Sequence, residues 1–277
     1  MSQTHIKETL MLKAIIEIYS YFFARRVFIK MHKLMHLLSL RGLGILNFRN
    51  MRRTGEEHFL RRLPKAEMMT IFDVGAHRGG YAKCVRRFND SARIVAFEPH
   101  PTTFKVLQEN IKDLNIETYN IALGNRSDVA MLYDYKQKGG SEHASLYEST
   151  IADMYHEETQ CYRVGVDTID DVMSRLRIAS IDLLKIDTEG NELAVLQGAI
   201  SAIKERRIKV IQFEFNATDI YSRVFLRDFF ELLEGYKFYR LIQDGKIAFN
   251  KYDALTCEIF AFQNIVAIRS DFAAVID

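Results

Sequence analysis

Four carboxylates recur at one kind of place along this chain, each closing an apolar run of strand length. Asp73 opens Asp73-Val-Gly-Ala-His-Arg-Gly-Gly80, Glu98 closes the next run, Asp187 stands in Lys185-Ile-Asp-Thr-Glu-Gly190, and Glu214 stands in Gln212-Phe-Glu-Phe-Asn216. Gly75 permits a tight turn, and Gly79 and Gly80 permit close passage into a following helix. The spacing G-x-x-x-G-G departs from the G-x-G-x-x-G of dinucleotide sites, and no G-x-x-x-x-G-K-[ST] phosphate loop occurs. Glu98 lies where a carboxylate can accept both hydroxyls of a ribose. Glycine turn and carboxylate together imply a nucleoside ligand. A pyrophosphate over the helix N-terminus would be repelled by Asp73, whereas the ammonium and sulfonium of S-adenosylmethionine suit a nearby carboxylate. The residues therefore favour S-adenosylmethionine, with an NAD-linked oxidoreductase as the rival.

If the reaction deprotonates a hydroxyl, a general base must lie within hydrogen-bond reach. The candidates are His143, Asp187, Glu189 and Glu214, with His143 in a segment made pliable by Gly139-Gly140. Asp187, Glu214 and Asn216 also offer oxygen ligands of the kind hard divalent cations take. A divalent cation is the minor alternative here, and no metal is expected.

These side chains need elements to hold them. Apolar runs at 69–74, 93–98, 116–123, 181–186, 208–215 and 238–242 read as strands, and 80–88, 102–114, 192–204 and 222–233 as the helices between them. Alternation of this kind predicts an α/β doubly wound parallel sheet, covered on both faces, with ligands beyond the carboxyl ends of its strands. The last run, 258–268, alternates less clearly and reads as an antiparallel return forming an edge hairpin. An insert at about 125–165 carries Tyr133, Tyr135, Tyr147, Tyr155 and Tyr162, which either line a sugar site by stacking or decorate a surface hairpin. Glu56, Glu57 and His58 precede the sheet and could reach the cleft.

The net charge of +2 over 277 residues conceals an asymmetry. Residues 1–65 carry 13 basic and four acidic side chains, a balance of +9, which leaves −7 for residues 66–277. The division expected is a basic helical extension, 1–65, ahead of a catalytic domain, 66–277. Residues 6–47 read as two or three helices whose uncharged stretches are too short to span a bilayer, and the start lacks the pattern of a signal peptide. Met31, Leu34, Met35 and Leu38 fall at helical spacing beside Lys30, Lys33 and Arg41. That pattern suits a cap or a homodimer contact first, and peripheral membrane contact through residues 1–50 second. No nucleic-acid recognition motif accompanies the basic residues. Cys84, Cys161 and Cys257 form neither a disulfide framework nor a C-x-x-C site, so a cytoplasmic setting is expected, with the inner membrane face as the alternative.

The stretch Ile181-Asp-Leu-Leu-Lys-Ile-Asp-Thr-Glu-Gly-Asn-Glu-Leu-Ala-Val-Leu-Gln-Gly-Ala199 resembles the FkbM family of S-adenosylmethionine-dependent methyltransferases. Similar features are Ile71-Phe-Asp-Val-Gly-Ala76, Ala96-Phe-Glu-Pro-His-Pro101, Asn120-Ile-Ala-Leu-Gly124 and Val166-Asp-Thr-Ile-Asp170. The resemblance covers about residues 69–268. It implies a class I methyltransferase fold: a Rossmann-like, seven-stranded sheet whose last strand inserts antiparallel. It also implies O-methylation of a hydroxyl on a sugar, glycan or secondary metabolite. Carried over by position, Asp73, Gly75, Ala76, His77 and Gly79 would face the methionine moiety, Glu98 the ribose, Asn120, Ile121 and Ala122 the adenine, and Asp187 the mouth between cofactor and acceptor. His77-Arg78 departs from the family, which often has Asn and a small or apolar residue there. A non-catalytic binding module is the remaining alternative, and carboxylates kept at successive strand ends argue against it.

Overall fold

The computed structural model describes residues 3–136, 141, 144–147, 150 and 158–272. The chain divides into two compact units, Met1–Leu43 and Gly44–Asp277. In the first, α1 (Gln3–Phe23) and α2 (Ile29–Gly42) are joined by a short 3-10 turn. Tyr19 stacks on Phe23 and meets the His32 ring edge-on, while the His32 Nε2 lies 2.9 Å from the Phe23 carbonyl.

The second unit begins earlier than the charge tally suggests. Residues 44–65 belong with the sheet, because Ile45 is buried and α3 (Glu56–Arg62) sinks Phe59 and Leu60, followed by Leu63, into a core shared with Tyr81, Val85 and Leu183. Charge counting sees Arg49, Arg52, Arg53, Arg61 and Arg62 but not the apolar residues between them.

The remaining elements run β1 (Thr70–Val74), α4 (Gly80–Phe88), β2 (Arg93–Phe97), α5 (Pro101–Ile111), β3 (Glu117–Tyr119), β4 (Ala122–Leu123), β5 (Asp128–Tyr135), β6 (Thr159–Asp167) and α6 (Ile169–Arg175). They continue through β7 (Ile181–Ile186), α7 (Glu192–Gln197), α8 (Ile200–Lys204), β8 (Ile208–Phe215), α9 (Thr218–Ser222) and α10 (Leu226–Leu232), and end with β9 (Tyr236–Ile242), β10 (Gly245–Phe249), α11 (Ala254–Cys257) and β11 (Gln263–Arg269). The main sheet has the order β10-β9-β11-β8-β7-β1-β2-β3. β1, β2, β3, β7 and β8 pair in parallel, and β11 runs antiparallel to both β8 and β9. This is the arrangement that the family resemblance implies, with an eighth strand. The terminal run does not form the edge hairpin that its own pattern suggests: β11 inserts antiparallel between β8 and β9, as the family resemblance implies, and the edge hairpin is β9–β10. A run of Asn264 to Ile268, buried throughout, needs neighbours on both sides, and an edge supplies only one.

Side chains alternate across this sheet with period two. Phe72, Val74, Phe97, Leu184, Ile211 and Phe213 face one core, where Phe213 stacks on Phe229 of α10 at 4.3 Å; Ile71, Ile94, Leu183, Val210 and Val266 face the other, under α3 and α4. The run expected at 116–123 divides, because β4 leaves the main sheet to pair with β6 in a small sheet of order β4-β6-β5. The helix expected over 192–204 breaks at Gly198, where a Cβ would stand 2.0 Å from the Gly124 carbonyl oxygen.

Candidate active site

A cavity of about 840 Å³ opens beyond the carboxyl ends of β1, β2, β7 and β8. Its walls include Gly75, His77, Glu98, Ile121, Ala122, Asp187, Glu189, Glu214 and Asn216, with Leu123 and Leu132 from the small sheet and Leu46, Phe48, Met51 and Glu56 from the segment ahead of β1. The strand-end carboxylates therefore do collect at one mouth, apart from Asp73.

The glycine turn is built by the neighbouring strands. Gly75 and Ala76 both donate their N–H groups to the Phe97 carbonyl, at 3.0 and 2.9 Å, and the Asp187 N–H donates to the Val74 carbonyl at 3.0 Å. Gly75 has φ +76°, and a Cβ there would lie 1.7 Å from the Asp187 carbonyl oxygen, so only glycine lets β1 and β7 end side by side. Ala76 is buried against Leu107 and Ile111 of α5 and Gly79 leads into α4; neither lines the cavity.

Glu98 accepts the His77 N–H on one oxygen and the His100 N–H on the other, each at 2.8 Å. Burial pushes its carboxyl up to about 7 against the pull of those two donors. Each oxygen keeps a further lone pair. Asn120 turns its amide inward, donating to the Glu98 and Pro99 carbonyls at 2.8 and 2.9 Å, so it fixes the backbone while Ile121 and Ala122 face the cavity. His100 caps α5 by accepting the Thr102 and Thr103 N–H groups on Nδ1, and its Nε2 lies 3.3 Å from the Asp134 carboxylate of β5. Burial lowers its pKa, so it serves as a neutral link between the main sheet and the insert.

Asp73 is fully buried and forms part of a polar row crossing the sheet. In register, Asp73 lies beside Lys185 and Lys185 beside Gln212. The Lys185 ammonium stands 3.0 Å from Asp187 and 3.7 Å from Asp73. Burial opposes its charge, but Asp187, Asp73 and Glu56 outweigh that and hold it above the ordinary lysine range. Gln212 accepts from the Tyr81 hydroxyl at 2.8 Å and donates to Glu56 at 2.9 Å, and Thr54 donates to the other Glu56 oxygen at 2.7 Å. Burial raises both Asp73 and Glu56. Sequence reasoning passed over Lys185, Tyr81 and Gln212. The available signal was Lys185 two residues before Asp187, hence on the same strand face.

Beyond Asp187 the cavity is acidic and aromatic. The Glu214 carboxylate accepts the Asn216 amide, and burial, then the charges of Asp187 and Glu189, push it well above the usual range. Glu192, which the sequence reading left unassigned, ties the Thr-Glu-Gly turn together by accepting from the Thr188 and Gly190 N–H groups at 2.6 and 3.0 Å. Phe260, Phe262, Phe48 and Met51 also line the cavity, with Phe48 and Phe262 edge to face at 6.1 Å and Phe260 5.2 Å from the Phe215 ring. Among the described residues, no three or more His, Cys, Asp or Glu side chains are grouped to hold a metal ion. Tyr133, Tyr135, Tyr147 and Tyr162 do not line the cavity; on β5 the alternation turns Leu132 and Asp134 inward and the tyrosines away. His143 and Tyr155 lie outside the described residues.

The model of the family described as "Methyltransferase FkbM domain" matches residues 73–238. Methyltransferase 1 of Beauveria bassiana (strain ARSEF 2860) is 28% identical over 142 residues, which is 46% of this chain and 57% of that protein. The 2-O-methyltransferase NoeI of Sinorhizobium fredii (strain NBRC 101917 / NGR234) is 25% identical over 176 residues, 60% of this chain and 72% of that protein. The crystal structure of a methyltransferase FkbM from Methylobacillus flagellatus KT superposes with a TM-score of 0.45 at 15% identity, over 73% of this chain and 44% of that one. The chain thus spans little more than half the length of the first of these relatives.

Proposed function

The chain belongs to the FkbM methyltransferase family, and we propose that it transfers a methyl group from S-adenosylmethionine to a hydroxyl of a sugar, glycan or secondary metabolite. The observation that carries this reading is a single cavity with two chemically distinct halves that meet at Asp187. One half holds the glycine turn, Glu98 and the apolar pair Ile121 and Ala122; the other holds Glu214 and Asn216 together with Phe260 and Phe262. The volume suits a small molecule and its partner substrate, since ligand sites run to roughly 300–1,000 Å³.

The residues present fit the cofactor. Glu98 would take the ribose hydroxyls on its remaining lone pairs, Ile121 and Ala122 would bound the adenine, and Gly75 with His77 would border the methionine end. When bound, S-adenosylmethionine supplies a sulfonium-activated methyl group for in-line displacement. The chain's task is then to position an acceptor oxygen and receive its proton. Glu214 is suited to the second task, because a carboxylate made more basic by burial takes a hydroxyl proton more readily. Asp187, held by Lys185, would orient the acceptor. Support for a hydroxyl acceptor comes from the relative described as a 2-O-methyltransferase.

Calorimetric titration with S-adenosylhomocysteine and with NADH tests the cofactor half: the first should bind at micromolar concentration and the second should not, and the reverse result removes the reading. Labelled S-adenosylmethionine, incubated with cell extracts separated into glycans, lipids and small metabolites, tests the acceptor. Label is expected in a base-stable glycan or small-metabolite fraction.

A further inference from the structure

The two helices of the first unit carry an apolar surface that they do not bury. From residue 11 to residue 43 no side chain is buried, and only Phe28, His32 and Leu40 are half-buried. Over residues 11–23 of α1, Lys13, Glu17 and Ser20 share one stripe at i, i+4 and i+7, and the rest of the circumference is Met11, Leu12, Ile15, Ile16, Ile18, Tyr19, Phe22 and their neighbours. On α2, Met31, Leu34, Met35 and Leu38 form an exposed stripe with Lys30, Lys33 and Arg41 beside it. Among the described residues no helix is long and apolar enough to cross a membrane. An apolar helical surface of this breadth belongs either in a protein core or against lipid.

We propose that this helical pair lies on an anionic lipid surface, with the apolar faces of α1 and α2 in the headgroup region. The charges select this occupant over a second copy of the chain. Residues 11–43 carry Lys13, Arg25, Arg26, Lys30, Lys33 and Arg41 against the single acid Glu17. Apposing two copies would bring these cations together in a partly desolvated contact, whereas an anionic leaflet attracts all of them. The end of α1 has the composition of a membrane interface: Tyr19-Ser-Tyr21-Phe22-Phe23, followed by Arg25-Arg26 and a Val27 that is 79% exposed. Amphipathic rings sit at headgroup level and the guanidinium groups meet phosphate. This inference is independent of the cavity and of its proposed chemistry.

Co-sedimentation of the full chain with vesicles is the test, using phosphatidylcholine alone and phosphatidylcholine mixed with phosphatidylglycerol. The chain should bind the mixed vesicles, bind them less as salt rises, and leave the neutral ones largely free. Removing two cations in Lys30→Gln/Lys33→Gln should weaken binding roughly 30-fold, at about fivefold per charge. Ile15→Ser/Phe22→Ser should also release the protein at unchanged charge, and both variants should keep the parental melting temperature. Binding to neither vesicle, or binding that neither variant alters, overturns the proposal. So does a dimer in sedimentation equilibrium that Ile15→Ser/Phe22→Ser dissociates while vesicle partition stays the same.

Discussion

Glu98 and Glu214 are both carboxyls raised by burial, and the different roles proposed for them carry different pH signatures. Glu98 has a carboxyl pushed up to about 7. A raised acid is ionised only above its shifted pKa, so its strength as an acceptor for ribose hydroxyls is present at higher pH and lost as pH falls through about 7. S-adenosylhomocysteine affinity should therefore weaken from pH 8 to pH 6 in calorimetry, and Glu98→Gln should flatten that dependence while weakening binding roughly 10- to 100-fold, the range for a hydrogen bond to a charged group. Burial, then the charges of Asp187 and Glu189, likewise hold Glu214 well above the usual carboxylate range. In the proposed role of general base it must be ionised, so the rate of methyl transfer should climb with pH on its limb. Glu214→Gln should remove that limb and lower kcat by roughly 10²–10⁴-fold, with little change in S-adenosylhomocysteine affinity. An unchanged pH–rate profile in that variant would remove Glu214 from proton transfer.

At the scale of elements, the site depends on two strands ending in contact. β1 and β7 are parallel neighbours, and Gly75 passes directly over the Asp187 carbonyl. Gly75→Ala should therefore lower the unfolding free energy by about 3 kcal/mol or more, since positive φ and a backbone clash act together. Thermal unfolding measures the loss, and S-adenosylhomocysteine binding should fall with it because Glu98 and Asp187 are positioned from the same turn. Strand runs, the two-residue alternation and the strand-end carboxylates were legible in the sequence because each is a local pattern. The polar row from Asp73 through Lys185 to Gln212 was not. Its members are far apart in the chain and meet only because parallel pairing sets Asp73 beside Lys185 and Lys185 beside Gln212. That register also explains why Asp73 sits beneath the turn, matched to a buried ammonium, instead of in the cavity.

The whole molecule comprises a helical pair and a sheet unit that begins at Gly44. A chain starting at residue 44 should unfold cooperatively within a few degrees of the full protein, because the buried core lies in that unit. One starting at residue 66 should melt far lower or fail to fold, since it lacks Ile45, Phe59, Leu60 and Leu63; large-to-small losses in a core each cost roughly 2–5 kcal/mol. Differential scanning calorimetry of the two truncations separates a boundary at 43 from one at 65. The sequence by itself determined the α/β alternation, the glycine turn and the acids that follow strand ends, since all of these depend on neighbours within a few residues. Tertiary structure alone decided that β4 leaves the main sheet to pair with β6, that residues 44–65 complete the core and one cavity wall, and that Lys185 gathers Asp73, Asp187 and Glu56 around one charge. Each of these turns on which distant segments share a face, and burial settles that through the sum of many contacts that no single stretch of sequence contains.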